Sequence, residues 1–310
     1  MTRLLLSHYM PAAHGVHADF LAPWAARVMA DCPSLEIDIA CEGSELGLLE
    51  NQFAQVSEGR VDIAHSPVAL PRGRFPLTNL MNLPFLAADS GEASRRLWAA
   101  QAEFLAAEFA PLHLLALHAD SGGVLHLRDA PLTGLADLAG KRIRTPAGAV
   151  AEAVAALGAE PVLLLPPAIG PAARAGEIDG AVMAWDVLAY TGTDTVFRHH
   201  HPEVFYVSPL YLVMNAASRA RLGPEERAAI DRHSGADLAP RFGGYWQAWS
   251  QPGRALAEGP GHSITPLPGE VLEAFRTAAA EAVSHEGARL AADGLTAAPG
   301  VAAAFAGRAG

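Results

Sequence analysis

The chain has 310 residues, 51% of them apolar and 18% charged, and a formal net charge of −11. Its length exceeds one ordinary hydrophobic core and predicts two domains, while its apolar content excludes an intrinsically disordered chain. The negative balance argues against nucleic acid or anionic lipid as a partner, and no stretch reaches the roughly 20 apolar residues of a membrane-spanning helix.

The N-terminal run Leu4-Leu5-Leu6 is far too short for a secretory h-region, so Leu4–Tyr9 reads as a first strand. Either a signal peptide has been removed ahead of this numbering or there was none. A helix is expected from about Val16 to Ala30, disturbed at Pro23 because proline lacks a donor and clashes with the preceding turn. The alternation in Leu35–Ala40 predicts a strand, and a helix follows over about Leu46–Glu58, then a strand over Val61–Ser66. Cys32 and Cys41 flank the Leu35–Ala40 strand, which would hold them about 25–30 Å apart, so free thiols are expected.

An Ala- and Leu-rich helix covers about Gly91–Phe109, and the strand Leu112–His118 runs into Gly122-Gly123, which suggests a crossing between domains. A second α/β unit follows. Its strands lie near Lys141–Arg144, Pro161–Leu165 and Gly180–Ala184, and its helices at about Val150–Leu157 and Ile169–Ala175. His199-His200-His201 is expected in a polar loop, and Val204–Met214 as one long strand that carries the chain back. From Pro224 to Glu258 the pattern is helical, interrupted at Gly235 and Gly243-Gly244, and the remainder is Ala-rich helix.

Enzyme signatures fail on spacing. Gly134 to Gly140-Lys141 departs from a phosphate loop, with Arg142 where Ser or Thr is required. His285-Glu286 lacks the second histidine of a zinc protease. The triple histidine has no supporting ligand spacing, and no Gly-x-Ser-x-Gly elbow is present. No cofactor and no metal site is expected.

The informative segment is Leu132–Pro146, in which a short helix, a Gly turn and a strand lead to Arg144. It resembles the "dLkGlkiRvp" wording of the solute-binding proteins of tripartite ATP-independent periplasmic (TRAP) transporters, the DctP-like family. His8-Tyr9-Met10-Pro11 with His14 and His17, Gly59–Ala64, Asn82–Leu86, Leu157–Val162, Gly176–Gly180 and Leu212–Asn215 continue the resemblance in order along most of the chain. Each piece is weak alone; together they carry it.

The resemblance implies an α/β, two-lobed periplasmic-binding-protein-like fold with a central cleft, crossing hinge strands and a long bridging helix. Lobe I would comprise 1–120 plus about 209–250, and lobe II 121–208 plus about 251–310. It further implies a periplasmic receptor, not an enzyme, that delivers a small organic carboxylate to the membrane components of a TRAP transporter, with Arg144 as the carboxylate clamp. The fork of a guanidinium meets both carboxylate oxygens, which agrees with that role; the alternative for Arg144 is a surface salt bridge of little value.

Two departures shape the expected ligand. Many relatives place another Arg, and an Asn or similar group, where this chain has Gly123-Val124 and Met183. A second carboxylate or a sugar acid would lose partners there, so an apolar monocarboxylate, benzoate-like, fits better. Trp185 and Phe85 are either pocket wall or core, and one of Tyr206 and Tyr211 is expected to face the cleft. His8, Tyr9, His118, His126 and Ser66 complete the candidate lining. The competing reading is an enzyme acting on a small carboxylic acid in the same cleft, with His8 or His126 as general base.

Overall fold

A computed structural model describes residues 1–306. In chain order its strands are β1 (Thr2–His8), β2 (Leu35–Ala40), β3 (Ile63–Pro67), β4 (His113–Ala119), β5 (Gly123–Leu127), β6 (Arg142–Thr145), β7 (Glu160–Leu163), β8 (Gly180–Met183), β9 (His199–Tyr206), β10 (Pro209–Met214) and β11 (Ser263–Ile264). They form two sheets, ordered β2-β1-β3-β10-β4 and β11-β9-β5-β8-β6-β7. Each sheet has parallel strands at its heart and one strand of reversed direction beside them, β10 in the first and β5 in the second. Those reversed strands are the ones that arrive from the other lobe.

Helices cover both faces of each sheet, so the strands read as near-continuous apolar runs. Leu4, Leu6, Ile37 and Leu212 pack with Phe20, Trp24 and Trp246 on one face of the first sheet, while Ala64, Leu117 and Tyr211 pack with Leu97, Phe109 and Phe305 on the other. In the second lobe Ile143 and Val182 meet Val154 and Phe275, and Val124 and Met183 meet Ile169 and Leu188. Helix Ala298–Phe305 packs on helix Ser90–Ala100 of the first sheet, whereas the sequence reading set all of 251–310 with the second lobe. Val301 and Phe305 find their apolar partners there.

The chain passes between lobes at Asp120–Gly122 and Val207–Ser208, and the two passages lie side by side. Asp120 ties them: its N–H donates to the Ser208 carbonyl (2.9 Å), and its Oδ1 accepts from the N–H groups of Ser208 (2.7 Å) and Gly122 (3.0 Å). Gly122 has φ +85°, and a Cβ there would sit 2.5 Å from Val204 Cγ1. Only glycine suits that position.

Helix Arg241–Ala257 bridges the lobes, packing on both Ser90–Ala100 and Trp185–Tyr190. Gly243-Gly244 does not interrupt it, contrary to the sequence reading. A Cβ on Gly243 would lie 2.9 Å from Gly91 Cα, so the pair marks a close helix crossing. Gly253 does the same in the other lobe, against the Trp185 carbonyl.

Other elements shift for local reasons. At Pro23 the first helix opens with a wide π turn, Val16–Leu21, before Ala22–Asp31, as expected where a donor is missing. Leu46–Glu58 splits into two single 3₁₀ turns and a short helix, Gln52–Ser57, with Leu48 in an extended conformation between the turns. The expected strand Val204–Met214 is two strands in two sheets. His199-His200-His201 is not a loop; it opens β9, with His200 and His201 fully buried. Both cysteines are free.

Candidate functional site

Arg144 is the last residue but one of β6, with β8 beside it at Ala181 and β7 at Val162. This is the carboxyl edge of parallel strands, where open α/β sheets bind ligands. Its side chain is only 6% exposed. Nε donates to the Leu164 carbonyl (2.9 Å) and Nη1 to the Val182 carbonyl (3.0 Å). Among the described residues no carboxylate lies within ion-pair distance of it. Arg142, two residues earlier, pairs with Asp179 at 2.7 Å in the ordinary way. Arg144 is therefore a buried cation held in place by neutral carbonyls, and such a charge calls for an anion from outside the chain.

Tyr206, at the end of β9, lies beside the guanidinium. Burial pushes its phenol up to about 12, with Arg144 holding the rise back. Gly123 makes room for it, because a Cβ at 123 would be 2.3 Å from the Tyr206 ring. The position where relatives are expected to carry a second Arg is thus filled from across the ladder, where Gly123 pairs with Tyr206.

Past the end of β8 the chain turns into helix Trp185–Tyr190. Trp185 stands edge-on to His126, centroids 4.9 Å apart. Asp186, 4% exposed, holds Oδ2 3.3 Å from Nε2 of His14 in the opposite lobe, while its buried Oδ1 has no partner. His14 Nδ1 accepts from the Val16 N–H (3.1 Å), which places the ring hydrogen on Nε2, facing Asp186. Tyr9, Tyr190 and Asp120 all feel the Asp186 charge, and burial first, then that charge, pushes both phenols up. Burial raises the Asp120 carboxyl to about 7, against the pull of its two backbone donors.

A cavity of about 260 Å³ opens between the lobes, with Tyr9, Met10 and Glu42 on one side and Pro167, Pro171 and Tyr190 on the other. A second, of about 390 Å³, lies on the first lobe between Trp98, Phe109, His113 and Asp231, away from the cleft.

Of the expected lining, Tyr9 borders the cavity between the lobes, Arg144 and Tyr206 are neighbours at the strand edge, and Trp185 packs in the core of the second lobe with Ile169 and Leu188. The remaining candidates are placed differently. Tyr211 packs its ring among Phe75 and Phe109, with only its hydroxyl directed toward Ser66 and Tyr9. Met183 is buried in the second lobe, its carbonyl 3.2 Å from His126 Nε2. Phe85, at the strained φ of +58°, packs on Phe205, and its N–H donates to the Phe205 carbonyl. His118 stacks on Phe242 and bonds His65 and Trp246.

His8 and His126, the bases an enzyme would use, are both engaged. His8 Nδ1 accepts from the Met10 N–H, so its hydrogen is on Nε2, 2.9 Å from His17 Nδ1. Cys41 brings a third potential metal ligand within 4.8 Å of these two. The donor set does not favour a metal, since a ligating imidazole donates its other N–H and His8 Nδ1 faces a donor. Burial drives His8 down to about 3.

Sequence reasoning missed Asp186, Tyr190, Asp120 and His14 as cleft groups. Their only signals were an acid in the first turn after a strand and an acid before paired glycines, both commonplace features.

A two-lobed receptor with a cleft under crossing strands and a bridging helix is the class this architecture defines. The model of the DctP family, bacterial extracellular solute-binding protein family 7, matches residues 6–288, and the chain belongs to that family. It is similar, at 25% identity and TM-score 0.93, to a marine metagenome TRAP solute-binding protein specific for aromatic acid ligands, solved with metahydroxyphenylacetate; the match covers 99% of this chain and 98% of that one. It is 26% identical, with TM-score 0.89 and 99% of each chain covered, to a TRAP solute-binding protein from Rhodoferax ferrireducens with copurified benzoate. A third, from Bordetella bronchiseptica with bound mandelate enantiomers, is 25% identical, with TM-score 0.87 and 99% and 98% covered.

Proposed function

We propose that the protein is a periplasmic receptor that closes on a small aromatic monocarboxylate and delivers it to the membrane components of a TRAP transporter. The observation that carries this is Arg144, a buried guanidinium with no carboxylate partner among the described residues. The ligand carboxylate supplies the missing anion. The aromatic ligands of the family members at 25–26% identity support the same class.

The absence of polar groups at 123 and 183 suggested a monocarboxylate, and the cleft adds a positive reason. Asp120 and Asp186 stand near Arg144, so a second carboxylate at that end of the cleft would meet like charge. One clamped carboxylate brings a gross Coulomb attraction of about 4 kcal/mol at 4 Å and an effective dielectric of about 20. Burying roughly 120 Å² of ring surface adds about 3 kcal/mol, toward the roughly 8 kcal/mol of micromolar binding. Tyr9, Tyr190 and Tyr206 offer ring surface.

The moving bodies are 1–120 with about 209–250, and 121–208 with about 251–292; helix Ala298–Phe305 travels with the first. Calorimetry with benzoate, succinate and glucuronate tests the reading. Benzoate is expected to bind at micromolar affinity or better and the other two at least tenfold more weakly, with Arg144→Ala losing benzoate binding while keeping its melting transition. Tight succinate or glucuronate binding with no benzoate binding, or unchanged affinity in Arg144→Ala, overturns it.

A further inference from the structure

Some of the polar groups around the cleft are accounted for within the protein. Arg144 is braced by two carbonyls, and Asp120 Oδ1 takes two hinge N–H groups. The hydroxyls of Ser66, Thr145 and Tyr211 are buried without a partner, and so is one oxygen of Asp186, which as a carboxylate oxygen can only accept: Oδ2 faces the His14 Nε2 hydrogen, and Oδ1 has no donor. A carboxylate oxygen so placed costs stability unless a donor reaches it, since the desolvation is not offset by a hydrogen bond.

Its surroundings indicate what kind of donor. Asp186 lies in the first turn of helix Trp185–Tyr190, at the same strand edge as Arg144, with β8 and β6 as adjacent parallel strands, and it touches the opposite lobe through His14. It therefore sits between the lobes, where a clamped ligand lies. A benzoate ring alone would leave Oδ1 unpartnered and bring a second negative charge near it. A ring that carries a hydroxyl would satisfy that oxygen.

We propose that Asp186 Oδ1 accepts a hydrogen bond from a ligand hydroxyl, so that the cleft selects hydroxylated aromatic monocarboxylates over their unsubstituted parents. This rests on the aromatic-acid reading above. The same residue then has two tasks, one per oxygen: Oδ2 meets the facing lobe, and Oδ1 reads the ligand.

The test compares benzoate with 3- and 4-hydroxybenzoate by calorimetry on the full chain and on Asp186→Ala and His14→Ala. The wild type is expected to bind the better hydroxybenzoate at least tenfold more tightly than benzoate, the size expected for a hydrogen bond to a charged acceptor. Asp186→Ala should bring the two acids within twofold of each other. His14→Ala, which breaks the contact between lobes and leaves Oδ1, should weaken both acids by a similar factor and keep the preference. A wild type without the preference, or a preference that survives Asp186→Ala, overturns the assignment while benzoate binding still upholds the aromatic reading. Binding of none of the three acids by the wild type overturns both.

Discussion

Arg144 and Arg142 sit on the same strand, two residues apart, and differ in what their charge meets. Arg142 pairs with Asp179 near the surface, whereas Arg144 is fixed by the Leu164 and Val182 carbonyls and leaves part of its fork free. Gly123 belongs to the same device, since its missing Cβ admits the Tyr206 ring beside the guanidinium. Gly123→Ala is therefore expected to expel that ring and weaken aromatic-acid binding at least tenfold. Tyr206→Phe, which keeps the ring and removes the hydroxyl, should cost less, and calorimetry of the pair separates space from polarity. Equal affinity in Gly123→Ala and wild type would show that Tyr206 does not shape the site. Arg144 was legible in the sequence because a whole motif precedes it. Asp186 was not, because its role depends on His14, 172 residues away, and on a buried oxygen that no pattern marks.

At the scale of elements, β5, β9 and β11 are joined by a row of histidines whose hydrogens can be assigned. Arg198 is a pure donor to His262 Nε2 (2.6 Å); His262 Nδ1 then donates to His200 Nε2 (3.0 Å), His200 Nδ1 to His126 Nδ1 (2.8 Å), and His126 Nε2 to the Met183 carbonyl (3.2 Å). Every ring is neutral in this row, and Trp185 rests on two of them. Burial, then neighbouring charge, lowers His200 to about 3 and His126 well below its ordinary value. Rings whose folded value is depressed contribute stability that is present above about pH 6.5 and is lost as pH falls toward the folded value. Asp120, raised to about 7, works the other way between about pH 4 and 7 and offsets roughly one ring. Denaturant titrations should show the wild type losing stability from pH 6.5 to 5, and His200→Gln losing up to about 2 kcal/mol less over that interval. An unchanged pH slope in His200→Gln would refute the assigned row. The sequence offered only three consecutive histidines, which read as a loop. Their burial depends on His262, Ser263 and Thr265, more than 60 residues further on. The strands themselves were legible from alternation, but Gly243, read as a break, proved to be a contact point, because periodicity does not reveal what approaches a helix.

The whole molecule is held in one arrangement by a few contacts between lobes, chief among them His14 with Asp186 and the bridging helix across Gly91 and Trp185. The first can break without disturbing either core, while the helix and the Asp120 hinge bonds keep the lobes attached. A ligand clamped by Arg144 on one side and touching Tyr9 on the other favours closure, because only the closed state lets both lobes contact it. A compact body of this length has a radius of gyration of about 19–20 Å, and an opened one is larger. Small-angle scattering should show the ligand-free His14→Ala protein larger than the ligand-free wild type, and saturating aromatic acid should draw both toward the same compact value. The rotation should occur about Ser121–Val124 and Val207–Tyr211, so Gly122→Ala, strained at φ +85° and set against Val204, should alter the open population without touching the clamp. Identical scattering from His14→Ala and wild type, with and without the acid, would mean that the lobes are one rigid body and that binding needs no closure.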